Sequence, residues 1–350
     1  MGRPDYYRRE LPERFFIRSS TKLPTVSFLP PHHTEPAAID NARECYDQIG
    51  VYPLNFSFPK PFLMPEKLSA RPHFLSTTIP GEPFSFDSWD EYLDEYHSSY
   101  FALSTKKGGW DTFRHLEILF SGTIPLIPRL KDAHQYSLAH FPKRALTLVM
   151  EGLEQHGPAI PDDETREFFH SYATTRLTTR AMARYLVEAS GITGSRILYL
   201  DHGLAHRTDY LSAFTLLGLR QELGAEVIPA YEAPYLLDDF AGDTHRLYGR
   251  GFGYTKVLPA ALARPESRDP ALADTAEGQR ELVALAESCD AIVVGNYDGN
   301  RGRAEALVRA GVPESRFVCI LGSDLVPDHG LLAQIRRSEM TFFVREFPGA

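Results

Sequence analysis

Cysteine is scarce in this chain: only Cys45, Cys289 and Cys319 occur, scattered and without CxxC spacing. A disulfide framework and a cysteine zinc site are therefore not expected, and buried reduced thiols are. Long hydrophobic runs are missing too. No apolar stretch approaches the roughly 18 residues of a membrane span. The first ten residues, Met1 to Glu10, lack the apolar core of a secretory leader, and Tyr6 stands where a myristoylation signal wants Ser or Thr. A cytoplasmic location is expected. Positive charge is in deficit, with a formal net charge of -9 spread along the length. That argues against nucleic acid as a partner, which needs a basic face. A small phosphorylated ligand needs only a local pocket and stays open.

Metal-ligand spacings are equally poor. His32 and His33 are adjacent, His156 and His170 are not four apart, and no Asp-x-Asp occurs. Asp162-Asp163 and Asp238-Asp239 are contiguous and read as surface or capping residues. No metal and no resident cofactor are expected. A classical dehydrogenase is disfavoured, because no GxGxxG follows a strand at the start of either half.

What is present points to α/β architecture in more than one domain. At 350 residues the chain can fill two cores. The first ninety residues are rich in proline and aromatics. Strands are expected over 15–18 and 25–29, and a helix over 35–49. Regularity then rises. A helix over 88–96 leads to a strand at 100–104, a glycine-bearing loop at 106–111 and a helix at 112–120. Phe113, Leu116 and Phe120 share one face of that helix, Gly122 stops it, and a strand follows at 123–128. Such a β–loop–α–β unit implies parallel strands and a right-handed crossover. After a helix at 143–153, a single long helix is expected over 161–189. Beyond it, strands at 196–201, 226–231, 291–296, 316–321 and 340–345 alternate with helices at 210–223, 277–288, 303–310 and 330–337. Five strands so separated predict a doubly wound sheet. Residues 233–267 interrupt it as a long insertion. The domain expectation is a donor-binding-like part over 1–160, a connecting helix over 161–190 and a Rossmann-like part over 191–350.

Chemistry concentrates at 106–117. The loop Lys106, Lys107, Gly108, Gly109, Trp110, Asp111, Thr112 lies at the carboxyl end of a strand and opens a helix. Ligands of parallel sheets bind there, and a helix N-terminus suits a phosphate. Gly108-Gly109 allows close backbone approach, Asp111 or Thr112 can cap the helix, and Arg114 can grip a diphosphate bidentately. Glu117, three residues on, can accept hydrogen bonds from ribose hydroxyls or pair with Arg114.

The string from Ser99 to Ile127, with Lys106-Lys107-Gly108-Gly109-Trp110-Asp111-Thr112-Phe113-Arg114-His115-Leu116-Glu117 at its centre and Ser121-Gly122-Thr123-Ile124-Pro125 after it, resembles the donor-binding half of exostosin-like glycosyltransferases. It is similar in more detail to uncharacterised glycosyltransferases of large DNA viruses and microbes. About thirty residues carry the match. Asp209-Tyr210-Leu211 and Tyr248-Gly249-Arg250-Gly251-Phe252 resemble the same group more loosely. The resemblance implies a GT-B fold of two Rossmann-like domains facing a cleft. It also implies sugar transfer from a nucleotide-sugar to a saccharide or other hydroxyl acceptor, without a metal. Arg114 would contact the donor phosphates and Glu117 the ribose or sugar. In ordinary GT-B enzymes the donor domain is C-terminal. Here the donor-like motif comes first, which implies a permuted order or exchanged roles of the halves.

An inverting transfer needs a base, commonly from the acceptor lobe. His202 and Asp209, flanking the loop after strand 196–201, are the candidates. The duller reading makes Asp209 a helix cap and His202 a loop residue. Arg250, Asp298 and Asp324 are candidate acceptor or phosphate contacts. Another nucleotide-using transferase, a sugar-nucleotide epimerase, or a non-catalytic nucleotide-sugar-binding protein are the alternatives.

Overall fold

Three parallel sheets organise the computed structural model, which describes residues 11–59, 70–78, 86–194, 196–264 and 266–348. The chain begins with β1 (Thr25–Val26), α1 (Ala38–Ile49), β2 (Tyr52–Pro53) and β3 (His73–Leu75). There follow α2 (Trp89–His97), β4 (Ser99–Leu103), α3 (Phe113–Phe120), β5 (Ile124–Leu126), α4 (Lys143–His156) and β6 (Ile160–Pro161). Strands β3, β4 and β5 lie side by side in that order, all parallel, with Phe101 opposite Ile124. The strand–loop–helix–strand unit expected from the sequence is therefore present. Phe113, Leu116 and Phe120 are all buried, and Gly122 leaves the helix at φ 72°.

Two expectations for the first ninety residues change. Residues 15–18 are not a strand: a 3-10 turn, Glu13–Phe15, sits there, followed by a single antiparallel bridge from Ser19 to His73. The expected strand at 25–29 shrinks to β1, paired with β6. Prolines at 12, 24, 30 and 31 withdraw ladder donors on either side.

The single helix expected over 161–189 is two, α5 (Asp163–Arg176) and α6 (Thr179–Ser190). Thr178 between them is extended, and its hydroxyl accepts the Ala181 amide at 3.2 Å. On the other side, the Phe58 amide donates to the Leu177 carbonyl at 2.9 Å, and the Thr179 amide donates to the Phe58 carbonyl at 3.0 Å. A strand-like bridge from a segment 120 positions away thus divides the helix. Helical periodicity carries no trace of it.

The second half supplies β7 (Ile197–Leu200), α7 (Tyr210–Leu223), β8 (Val227–Pro229), α8 (Ala276–Glu287) and β9 (Ala291–Val294). It ends with α9 (Tyr297–Arg309), β10 (Phe317–Leu321), α10 (His329–Ile335) and β11 (Thr341–Val344). The sheet runs β2-β11-β10-β9-β7-β8, parallel throughout. Side chains alternate across it. Tyr199, Val293, Ile320 and Phe343 join one apolar cluster with Phe214 and Leu217 of α7. Leu198, Ile292, Cys319 and Phe342 join the other with Leu285 of α8, Leu307 of α9 and Ile335 of α10. Helices on both faces bury such a sheet completely, so its strands read as unbroken apolar runs.

Five strands were expected and six are found. The sixth, β2, comes from the proline-rich stretch and pairs with β11, Tyr52 opposite Phe343. A two-residue strand containing a proline is tolerated only at an edge, and that is where it lies. A boundary at residue 160 is therefore crossed, since α1 and β2 sit with the C-terminal sheet. Among the described residues no helix is long and apolar enough to cross a membrane.

Phe58 joins these layers. Its ring is fully buried and stacks on Phe120 at 4.5 Å and Phe113 at 5.5 Å. Phe58→Ala is expected to cost about 3–5 kcal/mol, read as a lowered midpoint in urea unfolding. An unchanged midpoint would remove Phe58 from this part.

Candidate functional site

The carboxyl ends of several parallel strands open onto one cleft of about 810 Å³, a volume suited to a nucleotide-sized ligand. The loop after β4 contributes Lys107, Gly108, Gly109, Asp111 and Thr112, and α3 contributes Phe113, Arg114 and Glu117. The far wall comes from the six-stranded sheet: Gly322 and Asp324 after β10, Arg345 after β11, and Thr208 and Tyr210 at the start of α7. A strap through Leu247, Tyr248, Gly249, Arg250 and Phe252 crosses the mouth. Ligands of parallel α/β sheets bind at such strand ends, where helix N-termini and loops converge.

The loop holding the cations is braced from behind. His115 is buried, and burial lowers its pKa to about 4, so the ring is neutral. Its Nε2 lies 2.9 Å from the Trp110 carbonyl and its Nδ1 lies 2.7 Å from Ser104 Oγ. Nε2 is therefore the donor and Nδ1 accepts from the serine. Trp110 belongs to the apolar core rather than to the cleft, and the Lys106 ammonium rests over its ring at 5.3 Å. Lys106 and Trp110 thus support the loop from outside the cleft.

Arg114 and Lys107 form the cationic floor. Arg114 Nη1 donates to Tyr96 Oη at 3.2 Å, while its Nε is buried without a hydrogen-bond partner. Among the described residues neither Arg114 nor Lys107 makes an ion pair within 4 Å. Lys107 is exposed as a residue, while partial burial and then the Arg114 guanidinium lower its ammonium pKa. Glu117 accepts from Tyr92 Oη at 2.8 Å. Burial raises its carboxyl pKa, opposed by Arg114, the Tyr92 hydrogen bond and Lys107. Thr112 precedes α3 but does not cap it: its Oγ1 is buried and unpaired, although the residue lines the cleft.

The double-glycine bend meets a different partner from the expected phosphate. A Cβ on Gly108 would collide with the Asp324 carboxylate, and one on Gly109 with the Glu346 carboxylate. Glu346 accepts the amides of Asp111, at 2.8 Å, and of Trp110. The anion seated on this bend is the protein's own. Arg345, 2% exposed, donates to the carbonyls of Asp111 at 2.6 Å and Gly322 at 2.9 Å, and pairs with Asp324 and Glu346. Its guanidinium also lies over the Phe56 ring at 4.7 Å. Asp111 is no cap either. Its carboxylate accepts the Phe56 amide at 2.7 Å, and burial raises its pKa to about 7, opposed first by Arg345.

The remaining expected residues divide. Asp324 and Arg250 line the cleft. Arg250 is pinned by the Phe86 carbonyl and, at 2.9 Å, by Asp87. His202 and Asp209 do not pair, and neither lines the cleft. His202 Nε2 faces the Pro270 carbonyl at 3.1 Å and its ring packs on Tyr231. Asp209 caps α7 through the Ser212 amide and accepts from Asn296 Nδ2 at 2.9 Å. Asp298 is also elsewhere. The polar run after β9 is the first turn of α9, capped by Asn296, and Asp298 is an exposed carboxylate there, where the helix dipole favours it.

No family model, curated protein or solved structure matches the chain. Nor do three or more His, Cys, Asp or Glu side chains cluster as a metal site among the described residues.

The last strand expected from the sequence ends at Arg345, and no site role is expected of Arg345, Glu346, Tyr92 or Phe56. One signal was legible: Arg-Glu directly after the apolar run 341–344 marks a strand's carboxyl end, where parallel sheets place their sites.

The raised carboxyl of Asp111 sets a pH dependence. Unfolded, an aspartate titrates near pH ~4, whereas in the fold Asp111 holds its proton to about pH 7. The native state binds more protons across that window, so Asp111 lowers stability as pH rises from about 4 to about 7. Glu346, also raised by burial, acts with the same sign. Asp111→Asn is expected to flatten the fall in urea midpoint between about pH 4 and about pH 7. A variant as pH-sensitive as the parent would refute the assignment.

Proposed function

We propose that the chain is a glycosyltransferase that binds a nucleotide-sugar in this cleft and passes its hexose or pentose to a hydroxyl acceptor. The fold read this way is GT-B-like, two Rossmann-like lobes facing each other, in the manner of the exostosin-like enzymes that residues 99–127 resemble. The observation that carries the reading is the pair Arg114 and Lys107. Both stand in a cleft at the carboxyl end of a parallel strand, near Glu117 but with no ion pair within 4 Å among the described residues. Glu117 is the one carboxyl acting on both cations, and burial raises its pKa; a diphosphate would bring further negative charge to the half-buried Arg114 guanidinium, where it is worth most.

The chemistry follows from charge. The acceptor oxygen attacks the anomeric carbon, the bond from that carbon to the diphosphate oxygen breaks, and negative charge develops on the leaving diphosphate. Fixed guanidinium and ammonium groups stabilise that charge more than the ground state. Glu117, held by Tyr92, is positioned for ribose or sugar hydroxyls. With His202 and Asp209 outside the cleft, the acceptor proton would fall to a carboxylate of the wall, Glu117 or Asp324.

Titration calorimetry with UDP-, GDP-, ADP- and TDP-sugars tests the reading. Binding of at least one is expected. Arg114→Ala is expected to weaken it roughly 30-fold or more, the worth of one or two charge-assisted hydrogen bonds. Slow release of free nucleoside diphosphate separates an enzyme from a binding protein. Absence of binding across the panel, or full binding by Arg114→Ala, would end the assignment.

A further inference from the structure

We propose that Tyr248 is the stacking platform for the nucleobase of the bound nucleotide, supplied from the C-terminal part of the chain to a phosphate site built on the N-terminal one. The inference rests on the functional reading above and names the residue that makes the site select a nucleotide over a bare diphosphate.

Tyr248 stands apart from the other tyrosines of the cleft wall. It is 68% exposed, whereas Tyr92 is buried and Tyr210 half-buried. Its ring lines the cleft that holds Arg114 and Lys107, and the packing of the fold gives no reason to leave so large an aromatic surface in water. Every nucleobase has a π-face, and an aromatic side chain at the rim of a cationic groove is how proteins hold such a face.

The platform is fixed rather than loose. The Tyr248 ring meets Tyr210 edge-on, with centroids 5.1 Å apart, and Tyr210 is itself stacked on Phe214 at 5.5 Å. The Tyr248 carbonyl accepts from Tyr254 Oη at 2.8 Å. Immediately after it, Gly249 and Arg250 both take φ 58°. Arg250 pays for that left-handed conformation with its bonds to Phe86 and Asp87. A Cβ at 249 would strike the Tyr210 hydroxyl, so the strap lies directly on its support. Backbone strain of this kind is retained where surrounding structure over-determines it, characteristically at ligand clamps.

The test compares nucleoside diphosphates with inorganic pyrophosphate on the full chain, by calorimetry. Tyr248→Ala is expected to weaken nucleoside diphosphate binding roughly tenfold to a hundredfold, the range of one lost base stack, and to leave pyrophosphate binding unchanged. Tyr248→Phe is expected to bind like the parent, and Tyr248→Leu like the alanine variant, because bulk without a π-face does not stack. Arg114→Ala serves as the contrast and loses both ligands. Parent-like nucleotide binding by Tyr248→Ala, with Arg114→Ala impaired, overturns the platform and spares the phosphate site. Equal loss of pyrophosphate and nucleotide in Tyr248→Ala also overturns it. A parent chain that binds no nucleotide overturns both this inference and the function on which it rests.

Discussion

The guanidinium of Arg345 ties the two larger sheets together at the cleft. It emerges from the last strand of the six-stranded sheet and reaches the carbonyl of Asp111 in the loop after β4. The neighbouring Glu346 takes the Asp111 amide, so both backbone polar groups of one residue are bound by consecutive residues of the other part of the chain. Glycine at 108 and 109 lets the carboxylates of Asp324 and Glu346 come this close. One guanidinium answers three acidic groups in this cluster, and burial raises the pKa of two of them, Asp111 and Glu346. Charge clusters of this kind contribute little net stability compared with an apolar core, but removing one member leaves its partners buried and uncompensated. Their value lies in geometry: the loop that carries Lys107 and leads into Arg114 is held at a set position against the opposite wall.

That constraint gives the cleft its character. Its back is aromatic and stiff, with Phe113, Tyr210 and Phe214 stacked in series and Phe56 beneath Arg345. Its floor sets Arg114 and Lys107 beside Glu117, with the Arg114 Nε and the Thr112 hydroxyl buried without hydrogen-bond partners. At the carboxyl ends of β7 and β9 the carboxylates are paired. There Asp201 is satisfied by Ser212, Asn300 and Gly203, and Asp209 by Asn296 and Ser212. Two sets of polar residues at strand ends therefore have opposite fates. One set closes on itself; the other faces an open cleft.

Local pattern was enough to place Lys107, Gly108, Gly109, Asp111, Thr112, Arg114 and Glu117 together, because a short loop and one helix hold them within eleven positions. Arg250 and Asp324 reached the same cleft from far along the chain, the first on an irregular strap and the second at a strand end. His202 and Asp209 did not. Their spacing suited a base and its orienting carboxylate, but capping of α7 and contacts to Pro270 and Tyr231 consume them. Asp298 was lost to the first turn of a helix that starts earlier than its apolar periodicity suggests, since that turn is polar. Lys106 and Trp110 differ from Lys107 only in facing, which a loop sequence does not encode.

Sequence alone determined the parallel α/β character, the β–loop–α–β unit around residues 99–127 and nearly every helix and strand of the second half. These depend on periodicity, end signals and apolar runs, all of which are local. Tertiary structure alone decided that β2 joins the distant sheet, that Phe58 splits the helix before Thr179, and that Arg345 and Glu346 occupy the double-glycine bend. It also decided which aromatics became core and which one stayed exposed at the cleft. Each of those outcomes is a contact between residues far apart in the chain, and no short window of sequence contains both partners.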